Sequence, residues 1–292
     1  MKREAEIAKW EWMVKNTPQT EWINGKGVFL WLAFFVMEIG AGIYFVSLFV
    51  NFPKGQLTGW LLALALGGCF HMVFLGKKSR GWRILFRPVS SELSRGMWIM
   101  LLFALVGFFQ LLPALFSGIT WTGGSRILNV AMGILCILMM THGFATMGVV
   151  RAVAIWNSSM MIPLSLASAV WVGSQAVVVM SYGFGIDITA AQLWAQWSIF
   201  CFAGVLAMFL WGALHSSETS KASIKMVLFG KLSIHFYVGV VAVGILIPMI
   251  ITIAAWGNAG GWLLVLRLMC VCFGDLMMRY CVMKSPLYPP LI

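Results

Sequence analysis

The sequence predicts an all-α integral membrane protein with eight transmembrane helices, and three observations predict it. Charged residues make up only 10% of the 292 residues, against 61% hydrophobic ones, with a mean hydropathy of +0.92. A soluble domain carries about 25% charge, so this chain could not cover a water-facing surface. Eight apolar runs each approach the ~20 residues a helix needs to cross the hydrocarbon core. None of them alternates with the period of two that marks a barrel strand. The net charge of +11 is then a signal of topology rather than of nucleic-acid binding, because the basic residues gather between the runs.

Taken in order, residues 1–27 are polar and of mixed charge (Lys2, Arg3, Glu4, Glu6, Lys9, Glu11, Lys15, Glu21, Lys26). They lack the short apolar core and cleavage site of a signal peptide. Spans follow at Val28–Val50, Leu57–Leu75, Gly96–Phe116 and Leu128–Val150, making a first unit of residues 28–150. Residues 151–160 connect it to a second unit, 161–292, with spans Met161–Tyr182, Leu193–Leu214, Leu232–Trp256 and Gly261–Cys281. The connections are short, and only Gly76–Arg95 and Ser216–Lys231 approach 20 residues. The 15 Trp and 21 Phe suit helices that need interfacial anchors.

An even number of spans puts both termini on one side. Seventeen of the 20 Lys and Arg fall there, counting Arg279, against Lys54 and Arg126 opposite and Arg267 inside the last span. The positive-inside rule makes that side cytoplasmic. The six cysteines (Cys69, Cys136, Cys201, Cys270, Cys272, Cys281) all lie in apolar stretches without a CxxC pair. They read as small, soft core residues rather than cluster ligands.

Ionisable groups inside spans are costly and are functional candidates. Glu38 lies near the middle of the first span, beside Gly40-Ala41-Gly42, which allows close helix approach. His71, Gln110 and His142 occupy the second, third and fourth spans; Gln175, His235, Arg267 and Asp275 are in the later ones. The first half thus reads as active and the second as supporting. Asp275 and Arg279, four apart, suit a local ion pair. His71, His142, His215 and His235 all lie toward the basic side, whereas a diheme cytochrome needs axial histidines in both leaflets. A single heme between His71 and His142 stays open, as do histidines bonded to neighbouring helices and a polar ligand near the interface. A quinone fits the last reading: its carbonyls need donors, and a titratable imidazole suits coupled proton and electron transfer. Trp82, Arg80, Arg83 and Arg87 lie just past His71; the arginines suit lipid phosphates as well. Glu38, Gln110 and Asp275 could relay protons, or Glu38 could be a protonated, hydrogen-bonded side chain.

Two stretches carry a resemblance. Phe74-Leu75-Gly76-Lys77-Lys78-Ser79-Arg80-Gly81-Trp82-Arg83 with Arg87-Pro88-Val89-Ser90-Ser91-Glu92-Leu93-Ser94-Arg95-Gly96-Met97-Trp98 is one. The other is Ala154-Ile155-Trp156-Asn157-Ser158-Ser159-Met160-Met161-Ile162-Pro163, followed by Ser168, Ala169 and Gly173. Together they resemble the polysulfide reductase membrane-subunit (NrfD-like) family, related to dimethyl sulfoxide reductase anchor subunits. The resemblance implies two four-helix bundles and a quinone (menaquinone or ubiquinone) in the first. It implies no heme or iron–sulfur cluster in this chain. It further implies a docked ferredoxin-like subunit with [4Fe–4S] clusters serving a molybdopterin-type catalytic subunit, with proton translocation as a further expectation. By alignment of motifs, His142 stands where the family has a quinone-contacting tyrosine. The family's His-Leu-Gly histidine is Phe74 here, with His71 one turn earlier, and Leu30 and Ala33 stand where polar contacts are expected. The implied quinone contacts are His142, His71, Trp82 and Arg83, and the implied docking face is Arg80, Arg87, Arg95 and Arg151. A secondary transporter is the alternative from another class, suggested by Glu38 and by Pro113, Pro163 and Pro248 within spans.

Overall fold

The computed structural model describes residues 13–116, 125–254 and 260–291. Lys2, Arg3 and Lys9 of the polar leader, and Trp256 at the expected end of the seventh span, lie outside them. Nine helices are described: α1 (Gly27–Phe49), α2 (Pro53–Phe74), α3 (Glu92–Leu115), α4 (Ser125–Gly148), α5 (Met161–Gly183), α6 (Thr189–Leu214), α7 (Glu218–Leu228), α8 (His235–Ala254) and α9 (Gly261–Lys284). All but α7 are long and apolar enough to cross a membrane. This is a multi-pass membrane protein, and each span falls where its apolar run predicts.

Local chemistry sets the ends. Pro53 opens α2 in the first turn, where no amide hydrogen bond is lost. Ser91 and Ser217 cap α3 and α7, their hydroxyls accepting from the amides of Ser94 and Ser220 at 3.4 and 3.2 Å. Ahead of α6, Asp187 Oδ1 accepts from the amide and hydroxyl of Thr189 at 3.0 and 2.7 Å. Those bonds hold its carboxyl below the usual carboxylate range. Two spans contain wider, π-helical turns, Leu62–Gly67 in α2 and His235–Leu246 in α8.

Helices α1–α4 form one bundle and α5, α6, α8 and α9 the other, joined chiefly where α1 and α4 pack on α5. In lipid no hydrophobic force draws apolar helices together, so close backbone packing has to. The glycines of α1 supply it. A Cβ on Gly40 would stand 2.6 Å from the Ala63 amide of α2, and one on Gly42 would strike the Ala169 carbonyl of α5. From the other side, a Cβ on Gly173 would lie 2.7 Å from the amide of Ile43. Gly42 of α1 with Ala169 and Gly173 of α5 thus makes the seam between bundles, while Gly40 seats α2 on α1.

Residues 13–18 and 286–291 meet on one face. Thr17–Pro18 pairs antiparallel with Leu287–Tyr288, flanked by Gln19 N–H to Pro286 O and Leu291 N–H to Met13 O, both 2.9 Å. The ends of the described chain therefore lie together, as eight spans require. Two sequence expectations need correction. Arg279 is not on the basic face: it is fully buried in α9, because its ion-pair partners lie inside the membrane. Of the cysteines, Cys136, Cys270 and Cys281 are buried, but Cys69 and Cys201 face outward, since a thiol is apolar enough to meet lipid.

Candidate functional site

On the face that bears the termini, a cavity of about 450 Å³ opens between the start of α3, the end of α4 and the 151–160 connection. Glu92, Phe144, Ala145, Gly148, Trp156 and Asn157 line it. The connection is held rigidly: Trp156 is fully buried, its indole N–H donating to the Val282 carbonyl of α9 at 2.9 Å, its ring edge-on to Trp22. Asn157 Nδ2 donates back to the carbonyls of Val153 and Arg151 at 3.0 and 3.2 Å. The Trp-Asn step of the second motif is thereby the brace of the cavity wall.

His142 sits one turn deeper, on the same face of α4 as Ala145 and Val149. It is buried and packed directly against Gly96, one turn below Glu92 on α3; any Cβ at position 96 would overlap the imidazole. Its Nε2 lies 3.3 Å from the Thr146 hydroxyl. His71 is half-buried in α2, its Nδ1 3.0 Å from the Gly67 carbonyl, and it stands edge-on to Phe34 at 5.8 Å. Both imidazoles belong to helices of the first bundle. No hydrogen bond joins them among the described residues.

Behind the cavity lies a buried ion cluster that crosses the seam. Arg279 of α9 donates from Nε to Asp275 Oδ2 at 2.8 Å, from Nη1 to Glu38 Oε2 of α1 at 2.6 Å, and from Nη2 to Ser168 Oγ of α5 at 2.7 Å. Ser165 Oγ donates to the same Glu38 oxygen at 2.7 Å and also meets the Met140 carbonyl of α4. Glu38, Asp275 and Arg279 are at most 1% exposed. Two carboxylates face one guanidinium, and Glu38 Oε1 and Asp275 Oδ1 have no partner. Glu38 Oε1 points at Gly143, the neighbour of His142, where a side chain would collide with it. Phe144 stands between the cavity and the cluster: it lines the first and carries the Arg279 guanidinium over its ring at 5.4 Å.

The remaining expected residues are distributed as follows. Gln110 is not in the Glu38 cluster. Its Oε1 accepts from the Tyr44 hydroxyl at 2.5 Å and its Nε2 donates to Asn129, a separate chain nearer the opposite face. Trp82 and Arg83 lie on a short 3₁₀ segment, Lys78–Phe86, both exposed, the guanidinium 5.6 Å from the indole ring. They line neither the cavity nor the His142 contact. Arg80, Arg87 and Arg151 are exposed. Arg95 is exposed but engaged, pairing with Glu92 and donating to the carbonyls of Pro88 and Val89 at 2.9 and 2.7 Å. It braces the loop.

Sequence reasoning missed Ser165, Ser168, Phe144, Tyr44 and Asn129. The available signal was the excess of buried carboxylates, which calls for hydroxyl donors on the facing small-residue helix. Two other clefts are present: one of about 640 Å³ that shares Ser158 and Ser159 with this cavity and extends to Trp211 and Ser220, and an apolar one of about 530 Å³ between α5 and α6. Comparison with known protein families and with curated proteins finds no match to this chain.

Proposed function

We propose that this chain is a quinone-binding membrane subunit of a multi-subunit oxidoreductase, of the NrfD-like kind. The observation that carries the reading is Phe144, one face on the cavity above His142 and the other on the Glu38–Arg279–Asp275 cluster. A quinone head group entering between α3 and α4 meets hydroxyls of Ser158 and Ser159 at the cavity wall, with the His142 imidazole buried one turn beneath that wall. Quinone chemistry exchanges protons with electrons, and a site for it needs titratable groups close by. The cluster supplies them: with both carboxylates ionised it holds one uncompensated negative charge, which a single proton on Glu38 or Asp275 removes. Electrons would pass through a ferredoxin-like [4Fe–4S] subunit seated on the arginine face around Arg80, Arg87 and Arg151, and on to a molybdopterin-type catalytic subunit. By the basic bias, which stands without Arg279, that face is cytoplasmic and the membrane is the inner cell membrane.

The heme reading loses support from the same geometry. His142 Nε2, the nitrogen an axial ligand ordinarily offers, is packed against Gly96, so the two rings do not present a facing pair of axial nitrogens. A transporter binds its substrate at a midplane site; here the three side chains of the midplane cluster are at most 1% exposed and bond to one another and to Ser165 and Ser168.

The test is purification of the native complex followed by His142→Ala. The expected result is a co-purifying cluster subunit, with quinone-linked turnover lost and dye-linked activity of the partner kept. Undiminished quinone-linked turnover would contradict the assignment. A reporter fused at Ile292 that is active only outside the cell would contradict the orientation.

A further inference from the structure

Arg267 and Arg279 are both buried on α9, and the protein treats them differently. Every nitrogen of the Arg279 guanidinium has a partner, two of them through carboxylates. Arg267 is also buried, at 3% exposed, yet its one hydrogen bond runs from Nη1 to the Thr252 hydroxyl of α8 at 3.3 Å. That hydroxyl gives its own proton to the Pro248 carbonyl at 2.7 Å, so it offers only a neutral lone pair. Nε and Nη2 of Arg267 meet no acceptor, and no carboxylate among the described residues pairs with it.

A guanidinium stays protonated in any protein environment, and an uncompensated buried charge is strongly unfavourable. The two unmatched donors are also a particular pair. Nε–H and the nearer Nη2–H project in parallel from one edge of the planar group, the edge that receives two oxygens of one anion side-on. Water or a carbonyl satisfies one such donor at a time; a phosphate satisfies both and the charge.

We propose that this edge of Arg267 binds a phosphate-type oxyanion, and that the phosphodiester of a membrane phospholipid supplies it. Trp262, 70% exposed in the first turn of α9, marks the membrane interface opposite the termini. Five residues of helix place Arg267 about 7.5 Å deeper, within the span over which an arginine stem carries its head toward the phosphate layer. The flanking outward residues Ile250, Ile253, Leu266 and Met269 are exposed and apolar, a surface on which the acyl chains of that lipid can lie. Free phosphate shares the chemistry without the tails.

The test compares the full-length wild type with Arg267→Met and Arg267→Lys after lipids are washed out in detergent. Phosphatidylglycerol in mixed micelles and sodium phosphate at matched ionic strength are the probes, with melting temperature and native mass spectra as readouts. The wild type is expected to gain melting temperature and one retained lipid mass with phosphatidylglycerol. Arg267→Met should lose both gains while melting no lower than the wild type in lipid-free detergent, because it removes an unmatched charge. Arg267→Lys, which keeps the charge but not the fork, should retain less lipid than the wild type, and it carries the comparison if the methionine variant does not fold. Stabilisation of the wild type by sodium phosphate alone would identify a free anion as the source. Equal lipid retention and equal melting shifts in wild type and both variants would overturn the site.

Discussion

Arg279 of α9 donates to Glu38 of α1 at 2.6 Å, a bond between residues 241 positions apart that fastens the last span to the first. Both partners are buried at the seam of two bundles, where neither could remain ionised alone at acceptable cost. The bond therefore has a structural consequence independent of any redox role. Arg279→Met leaves two buried carboxylates without their cation and should destabilise the protein by about 3–5 kcal/mol. Adding Glu38→Gln to that variant should recover part of the loss, since a neutral amide needs no counter-charge. Thermal or denaturant melts in one detergent measure the coupling; additive losses would show that the pair does not interact.

Phe144 divides the cavity from the cluster. Phe144→Trp should fill part of the cavity and lower quinone-linked turnover of the complex by roughly tenfold, about 1.4 kcal/mol, with dye-linked activity of the catalytic partner unchanged. Equal turnover in the two proteins would place the quinone elsewhere.

The crossing of α1 and α5 has no room for a side chain at Gly42, which faces the Ala169 carbonyl. Gly42→Leu should separate the bundles and break the Arg279–Glu38 bond with them, leaving little monodisperse protein on size exclusion. Gly68, whose Cβ would meet nothing within 4 Å, is the control: Gly68→Ala should be neutral or slightly stabilising.

The Asp187 turn that leads into α6 is pH-dependent with a definite sign. The bonds from Thr189 hold the Asp187 carboxyl below its ordinary range in the folded protein. Its stabilising contribution is thus full above the unfolded value and is lost as pH falls through the lower, folded one. Amide exchange in the first turn of α6, corrected for intrinsic rate, should accelerate on acidification across that window. In Asp187→Asn, which can accept the same bonds from Thr189 without titrating, the acceleration should be absent.

All eight spans were legible because hydropathy reports which segments can leave water. The Gly40–Gly42 and Ser168–Gly173 clusters were legible as close approaches, since small residues in lipid have that common use. Asp275 and Arg279 could be paired from spacing alone. That Glu38 joins them could not: the bond depends on which face of α1 meets α9, and no local pattern encodes a contact so distant in sequence. Arg279 reads as a basic-face residue because its backbone lies only five residues from the end of α9, while its long side chain turns inward to the carboxylates. Gln110 and Glu38 look like partners when being polar inside a span is the only criterion. Depth separates them: Gln110 lies nearer the opposite face, where Tyr44 and Asn129 take it. Trp82 and Arg83 stay outside the cavity because the 3₁₀ segment turns their side chains outward.

The most direct test is photo-crosslinking of an azido-quinone to the native complex, with the modified residues mapped by mass spectrometry. Labels are expected on the cavity walls, within residues 92–98 and 142–162, and should be displaced by excess unlabelled quinone. Displaceable labels confined to the groove between α5 and α6, with none on those walls, would contradict the account.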